Sequence, residues 1–285
     1  MDYSLALLLI FAALGTLFFA GLFYNDFRRQ KRLEEIKKIP FKEEYNLFLD
    51  KTPHYRKLSD EDRQKVQRSI VYFIHSKEFI GVGLRVSDEM KVIIAFYACL
   101  LLLGKNTQNC YDNLKTIIIY PHSVMINQVR SSGGIYAKEQ FMIEGQSAND
   151  TVVLTWHEAK KESYHMRHHN VIIHEFAHEI DFMDGQIDGI PPIENSKYDG
   201  WVKTLHKEFD RLSSITLKNR GWGKYKLLDA YAANNEAEFF AVVTERFFES
   251  PSALKLHFPE LYEEYKDFYQ IDTAQLFGTD RSLDQ

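Results

Sequence analysis

One short stretch constrains this chain more than any other, residues 171–185, which read V-I-I-H-E-F-A-H-E-I-D-F-M-D-G. It contains the pattern H-E-x-x-H, formed by His174, Glu175 and His178. Residues four apart lie on one face of an α-helix, so both imidazoles can bind a single Zn²⁺. Glu175 lies beside that face, where it can act as general base on the water that such a metal activates. The apolar residues around the motif predict a buried helix, and Gly185 is a suitable terminator.

The same motif has a simpler interpretation, two core histidines on an ordinary helix. H-E-x-x-H arises by chance too often to decide between the two, but the buried setting favours a metal because buried imidazoles need partners. Three more histidines, His165, His168 and His169, precede the helix. We interpret them as an exposed cluster rather than as ligands, since the pair four residues apart already uses the helical geometry.

A third ligand would strengthen the metal interpretation, and several carboxylates are candidates. Asp181 shares the histidine face, but a role in holding a neighbouring ligand or capping a backbone group is favoured for it. A downstream helix offers Glu236, Glu238 and Glu245. If Asn235 is the N-cap of that helix, Glu238 occupies the position of a capping-box carboxylate. Spacing alone therefore leaves Glu238 open between a ligand and a cap.

Composition excludes some classes of protein. The chain has 285 residues, 45% of them hydrophobic, which is enough for one large domain or two coupled subdomains. The net charge is −5, and residues 1–40 carry six Arg and Lys against four Asp and Glu. The rest of the chain is therefore acidic, which argues against a nucleic-acid surface. Two cysteines, Cys99 and Cys110, make no disulfide framework and no C-x-x-C motif.

The N-terminus contains an uncharged apolar run from Ser4 to Tyr24, long enough to span a bilayer as a helix. A signal peptide is the alternative, but only Asp2 precedes the run and no clear cleavage site ends it. The Arg and Lys cluster follows the run, so the positive-inside rule predicts a cytoplasmic main domain. The predicted organisation is a membrane anchor in residues 1–24, a basic linker or helix in 25–57 and a zinc peptidase domain in 58–285.

The periodicity of that domain predicts a mainly helical α+β fold. Ser59 and Ser87 are candidate N-caps of two helices, and Gly81-Val-Gly83 ends the first. The second helix is apolar up to Gly104. We interpret it as a core helix rather than a second membrane span, because only 13 residues follow Lys91 without a charge. Further helices are expected at about 198–215, 235–249 and 259–269.

Four β-branched and aromatic runs predict a small, mostly antiparallel sheet before the zinc helix, in residues 114–120, 124–129, 140–143 and 151–156. In many zinc peptidases, the edge of such a sheet holds an extended substrate by main-chain pairing. A sheet that only covers the helices fits these residues equally well.

A series of short blocks in the same order resembles the Mlc titration factor A family of zinc peptidases over roughly residues 58–270. The blocks are 79–84 (F-I-G-V-G-L), 86–90 (V-S-D-E-M), 98–100 (A-C-L), 103–104 (L-G), 119–121 (I-Y-P), 145–147 (G-Q-S), 153–156 (V-L-T-W), 170–178 (N-V-I-I-H-E-F-A-H), 183–185 (M-D-G), 188–192 (D-G-I-P-P), 231–233 (Y-A-A) and 237–241 (A-E-F-F-A). The family pattern is H-E-x-x-H with a distant Glu seven residues after a site Tyr.

The resemblance implies His174, His178 and Glu238 as zinc ligands and Glu175 as the base. It also implies a gluzincin-type fold similar to the protease domain of anthrax lethal factor. Tyr231 keeps the family's interval to Glu238 and could donate a hydrogen bond to the oxyanion of the reaction. The alternative for Tyr231 is a buried aromatic that packs on the zinc helix.

Two departures from the family pattern matter. The apolar N-terminal run is not part of it, and Asn235-Glu236 replaces an acidic residue followed by Pro, a change that is conservative for an N-cap. The favoured function is a membrane-anchored, aminopeptidase-like zinc peptidase that acts on cytoplasmic peptides. The alternative is a regulatory binding protein, because the family is known for sequestering a transcriptional repressor of sugar-uptake genes. The presence of Glu175 favours the enzyme, since a pure binder does not need it.

Overall fold

The computed structural model describes residues 3–105, 111–122, 124–132, 135–143, 145–148, 150–166 and 169–278. For residues 3–10, 13, 25, 26, 29 and those within 124–148, it describes the backbone only. The contacts within the chain divide it into two units, residues 1–40 and 41–285. The predicted linker of residues 25–57 is thus shared between the two units.

The first unit contains α1, Tyr3–Ile36, with large apolar side chains exposed between Phe11 and Phe27. The predicted helical conformation of the N-terminal run is therefore confirmed, but the predicted transmembrane span is not supported. In the described part of the chain, no helix combines the length and the apolar character that a membrane crossing requires. The side chains of residues 4–10 lie outside the described ones.

The second unit is mainly helical. Its described helices are α2 (Asn46–Leu49), α3 (Pro53–Lys57), α4 (Asp60–Ser76), α5 (Asp88–Leu100), α6 (Trp156–Ser163), α7 (Val171–Asp181), α8 (Asn195–Lys218), α9 (Glu236–Glu249), α10 (Pro251–His257), α11 (Pro259–Tyr269) and α12 (Thr273–Phe277). The predicted caps are confirmed, because the hydroxyls of Ser59 and Ser87 accept hydrogen bonds from the amides of Asp62 and Met90. The three predicted later helices correspond to α8, α9 and α11.

The strands form a four-stranded sheet and a separate hairpin. Their bounds are β1 (Glu78–Gly81), β2 (Thr116–Tyr120), β3 (Val124–Ser132), β4 (Ile135–Ile143), β5 (Gly145–Ala148) and β6 (Thr151–Thr155). The sheet has the order β1-β2-β6-β5, in which β1, β2 and β6 are parallel and β5 pairs antiparallel with β6. The hairpin joins β3 to β4.

The predicted, mostly antiparallel sheet is therefore wrong for the main sheet. The sequence interpretation took the stretch around Gly81-Val-Gly83 as the end of a helix and missed β1. The core helix α5 connects β1 to β2 as a crossover, and such a connection makes the two strands parallel. Between β2 and β6 the hairpin forms its own pair, so β2 and β6 do not follow each other through a tight turn.

The core explains where the two site helices lie. Residues Val92 to Leu100 of α5 are fully or almost fully buried, which confirms the core-helix interpretation. Helix α7 packs between α5, the β5–β6 edge of the sheet and α9. The far side of α9 is covered by aromatic rings, including Tyr269, whose ring stacks on Phe247 with centroids 5.6 Å apart. Such burial fixes α9 firmly, and with it the direction of its carboxylates.

Candidate metal centre

Helix α7 carries the H-E-x-x-H motif and has well-defined ends. Asn170 is its N-cap, because the side-chain oxygen of Asn170 accepts a hydrogen bond from the amide of Ile173. A short 3₁₀ turn follows Asp181 and ends at Gly185, which adopts the left-handed conformation at φ 93° that favours glycine. The predicted helix and its terminator are thus confirmed.

The two histidines and Glu238 converge on one point. The Nε2 atoms of His174 and His178 are 3.3 Å apart. Glu238, from α9, places Oε2 3.1 Å from Nε2 of His174 and 3.6 Å from Nε2 of His178. The structure therefore brings together the three residues that the sequence and the family resemblance suggested as ligands, and these three form a group able to hold a metal ion.

This donor set fits a small dication. A tetrahedral zinc site with bonds of about 2.0–2.1 Å has ligand-to-ligand distances of about 3.3–3.4 Å, and the three observed distances bracket that value. Three lone pairs directed at one another repel unless a positive charge lies between them. The neighbouring carboxylates favour such a charge. Burial lowers the pKa of His174, but Glu238 and Glu245 outweigh burial and hold this pKa well above its usual range.

The pKa of the Glu238 carboxyl is shifted in the opposite direction, downwards. Burial raises the pKa of its carboxyl, but hydrogen bonds from His174 and His178 outweigh burial, and the pKa lies well below its usual range. Glu238 is therefore ionised at neutral pH, as a metal ligand must be. The side chain of Glu238 does not act as a capping-box carboxylate, which was its alternative role. The cap is made by Asn235, whose side chain accepts from the amide of Glu238, while the Glu238 carboxylate reaches the histidines.

Glu175 is the second acidic group of the motif, and it is buried. Its Oε2 atom has no hydrogen-bond partner among the described residues. Burial raises the pKa of Glu175 to about 8, with the nearby His174 acting against the shift. A carboxyl whose pKa lies near neutrality can both take and return a proton, which is the property that a general base needs.

Glu245 was a candidate ligand, but its carboxylate does not lie at the convergence point. Its Oε1 accepts a hydrogen bond from Nδ1 of His174 at 2.8 Å, on the opposite edge of the imidazole ring. Burial raises the pKa of Glu245, but hydrogen bonds from His169 and His174 outweigh burial and lower the pKa to about 2. Glu238 and Glu245 are seven residues apart and share one face of α9, but their spacing does not tell which nitrogen each one meets.

Tyr231 lies in the 3₁₀ turn Tyr231–Ala233, directly before α9. Its ring centroid is 5.9 Å from that of His174, and 52% of the residue is exposed. The alternative interpretation of Tyr231 as a buried aromatic is therefore wrong. The residue borders the metal centre on the side that is open to solvent.

The other candidates lie around the centre and not in it. Asp181 accepts a hydrogen bond from the amide of Gly189 at 2.9 Å, which confirms the favoured role of capping a backbone group. His165 is exposed and contacts Lys161, while His169 is 3.6 Å from Glu245. His168 and Cys110 lie outside the described residues.

Some residues that pack outside the ligand group escaped the sequence interpretation. Asn170 donates a hydrogen bond from its side chain to Glu249, which lies 3.9 Å from the buried His54. Only the Asn before an apolar helix could have been recognised, as an N-cap. Nothing local marks Glu249 or His54, because their partners are far away in the sequence.

Comparison with known proteins gives a consistent result. A family profile described as glucose-regulated metallo-peptidase M90 matches residues 25–270. An uncharacterized protein of Synechocystis is 33% identical over 229 residues, which cover 78% of this chain and 82% of the relative. Mlc titration factor A of Serratia proteamaculans is 30% identical, with 75% of this chain and 83% of the relative covered. Mlc titration factor A of Escherichia coli is 28% identical, with coverages of 76% and 82%.

Proposed function

Because the chain belongs to the glucose-regulated M90 metallo-peptidase family and is similar to Mlc titration factor A, we propose that it hydrolyses peptide bonds at a zinc site. The observation that carries the proposal is the convergence of His174, His178 and Glu238 on a single point. A metallopeptidase follows from the family. The choice of zinc, the roles of the individual residues and the substrate belong to the proposal.

Zinc is favoured by the donor set. Two imidazoles and one carboxylate are ligands of catalytic zinc, and H-E-x-x-H with a downstream glutamate is the gluzincin-type arrangement. When bound, Zn²⁺ supplies Lewis-acid activation of the attacking water and of the peptide carbonyl. His174, His178 and Glu238 would hold the ion, and a zinc with three protein ligands would keep a position for water or substrate. Tyr231, which is 52% exposed and 5.9 Å from His174 between ring centroids, borders this centre.

The chain's own residues supply the proton transfers. Glu175 takes a proton from the attacking water at Oε2, the atom that lacks a partner among the described residues. It then returns that proton to the leaving amine. The Tyr231 hydroxyl donates a hydrogen bond to the carbonyl oxygen of the substrate as that oxygen gains charge.

The proposed substrate is an extended peptide. Strand β5, Gly145–Ala148, is an edge of the described sheet and contacts α7, so its open side can pair with a peptide main chain beside the metal centre. Aminopeptidase-like cleavage is proposed from the family resemblance alone. A peptide library with free and acetylated N-termini tests this point, because cleavage of acetylated peptides within the chain would contradict an aminopeptidase.

The central test is Glu175→Gln in the full-length chain. We expect the variant to bind zinc like the wild type, because Glu175 is not a ligand, and to lose roughly 10²–10⁴-fold in peptide turnover. Elemental analysis measures the zinc content, and a fluorogenic peptide assay measures the turnover. Unchanged turnover in the variant would refute the base assignment.

The ligand assignment is tested by Glu238→Ala, with Glu236→Ala as the control on the same helix end. Loss of the Glu238 carboxylate leaves two ligands, so we expect the zinc content after dialysis to fall to a small fraction of one per chain. The Glu236 variant should keep its zinc, since of these two residues it is Glu238 whose side chain contacts the histidines. Full zinc occupancy in Glu238→Ala would exclude this residue as a ligand.

A second candidate function is regulatory binding, favoured by the name of the relatives, Mlc titration factor A. In that case, the chain holds a transcriptional regulator and catalysis is secondary. Affinity capture with the wild type and with Glu175→Gln separates the two functions. A partner bound equally by both proteins, together with no peptide turnover in the wild type, would favour the binding function.

The location of the chain is also a proposal, made from the sequence alone: a membrane, with the peptidase unit on the cytoplasmic side. Its support is the uncharged run from Ser4 to Tyr24 and the Arg and Lys cluster after it. The described helices do not add support to a span. Cell fractionation of the full-length protein decides the question, and recovery in the soluble fraction would contradict the proposal.

A further inference from the structure

The carboxylate of Glu245, on α9, contacts two parts of α7: the proposed metal ligand His174 and the N-cap residue Asn170. Its Oε1 is 2.8 Å from Nδ1 of His174, and its Oε2 accepts a hydrogen bond from the backbone amide of Asn170 at 2.9 Å. Only 3% of Glu245 is exposed. One buried group on α9 therefore holds both the imidazole ring and the N-cap residue of α7.

These contacts determine the tautomer of His174. An ionised carboxylate only accepts hydrogen bonds, so Nδ1 of His174 must carry the hydrogen. In a neutral ring the lone pair is then on Nε2, the atom directed at Glu238 and His178. The ring is thus prepared for metal binding through Nε2, and rotation of the ring would break the bond to Glu245.

The surroundings favour the form of Glu245 that accepts hydrogen bonds. His169 lies 3.6 Å and the buried Arg246 lies 3.8 Å from its Oε2 atom. A positive charge and a hydrogen-bond donor this close both favour a negatively charged carboxylate.

His174 and His178 differ in what holds their rings in place. Nδ1 of His178 is buried and has no hydrogen-bond partner among the described residues. Nδ1 of His174 has Glu245. The orientation of His178 thus depends on packing, whereas that of His174 is held by a charged hydrogen bond, which is stronger than a neutral one.

We propose that Glu245 is a positioning residue that fixes the tautomer and ring orientation of His174 and thereby sets the affinity of the centre for its metal ion. The inference rests on the metal site of the proposed function. It goes beyond that function by assigning a role to a residue outside the ligand set.

The test measures Zn²⁺ affinity in the full-length chain, by competition with a chromophoric chelator and without any substrate. We expect Glu245→Ala to weaken zinc binding 10- to 100-fold, the range typical for loss of a ligand's hydrogen-bond partner. Glu245→Gln should lose less, because its amide oxygen can still accept from Nδ1 of His174. Affinity in Glu245→Ala equal to that of the wild type would overturn the proposal.

The matched control is Glu249→Ala. Glu249 lies one turn further along α9, is equally buried, and accepts from the side chain of Asn170 at 2.9 Å. The carboxylate on Nδ1 of His174 is that of Glu245, whereas Glu249 contacts Asn170 and lies 3.9 Å from His54. We therefore expect removal of the Glu249 carboxylate to leave zinc affinity within about twofold of the wild type. Equal losses in the Glu245 and Glu249 variants would mean that packing of α7 on α9 is responsible, and the positioning role would be wrong.

The outcomes also separate this inference from the proposed function. If the wild type binds zinc and Glu245→Ala binds it weakly, but no peptide is cleaved, the positioning role stands and the peptidase proposal fails. If the wild type binds no zinc, both fail. Melting of the zinc-free variants shows whether a loss of affinity reflects a loss of folding, in which case Glu245→Gln, the less disruptive change, decides.

Discussion

Three glutamates of α9 carry the same carboxylate and have different partners on α7. Glu238 meets the Nε2 atoms of both histidines, Glu245 meets Nδ1 of His174, and Glu249 meets the side chain of Asn170. They lie seven and four residues apart, on one face of the helix. Their chemistry is thus set by which atom each one reaches and not by residue type.

His54, which lies near Glu249, should make the stability of the fold depend on pH. His54 is fully buried, and burial lowers its pKa to about 4, although a hydrogen bond to the carbonyl of Phe248 opposes the shift. Between pH 6.5 and about 4, the unfolded chain binds a proton at residue 54 that the folded chain does not bind. The free energy of unfolding should therefore fall as the pH falls, by about 2 kcal/mol from this group between pH 7 and pH 5.

Urea unfolding at pH 7 and pH 5, in zinc-free buffer, measures this effect. In His54→Gln the difference between the two pH values should shrink by that amount. His206→Gln, a change of an exposed histidine on α8, is the control and should leave the difference as in the wild type. An equal pH dependence in His54→Gln and the wild type would contradict the prediction.

At the scale of elements, Gly189 contacts both site helices, α7 and α9. The amide of Gly189 donates to Asp181 at the end of α7. A Cβ added to Gly189 would lie 2.5 Å from the carbonyl oxygen of Glu236, at the start of α9. The loop after α7 thus packs directly against the helix end that carries Glu238, two residues further on. A side chain at position 189 must move that end.

We therefore expect Gly189→Ala to weaken zinc binding several-fold by displacing Glu238. Gly185→Ala is the matched control: both glycines have positive φ, 79° and 93°, but a Cβ at Gly185 would meet nothing within 4 Å. Both variants should lose about 1 kcal/mol for the left-handed backbone conformation, and only Gly189→Ala should also lose zinc affinity. Chelator competition measures the affinity, and equal values for the two variants would show that the contact with Glu236 is unimportant.

At the scale of the whole molecule, the metal centre and the buried core around it lie within residues 41–285. We expect this unit to fold without residues 1–40 and to bind one zinc ion per chain. Zinc at about 100 times its dissociation constant should stabilise the unit by about 2.7 kcal/mol, which corresponds to an increase in Tm of roughly 5–10 °C.

Calorimetric melting of residues 41–285 with zinc and with a chelator tests this expectation. The full-length chain under the same conditions is the reference. Aggregation of the shorter chain, or a Tm that does not depend on zinc, would contradict it.

The sequence by itself was sufficient for features that depend on near neighbours. Periodicity and caps identified α5, α7 and α9, and the spacing of His174 and His178 placed both imidazoles on one face, because helix geometry is set within about four residues. Resemblance to a family singled out Glu238, which spacing had left open.

Only the tertiary structure decided the features that depend on distant contacts. The parallel pairing of β1, β2 and β6 follows from the crossover through α5, and the different tasks of Glu238 and Glu245 follow from the way α9 packs on α7. Residues 64 and 71 positions after His174 meet opposite edges of its ring. No local pattern contains that information, because the positions of the two helices are set by the whole core that packs around them.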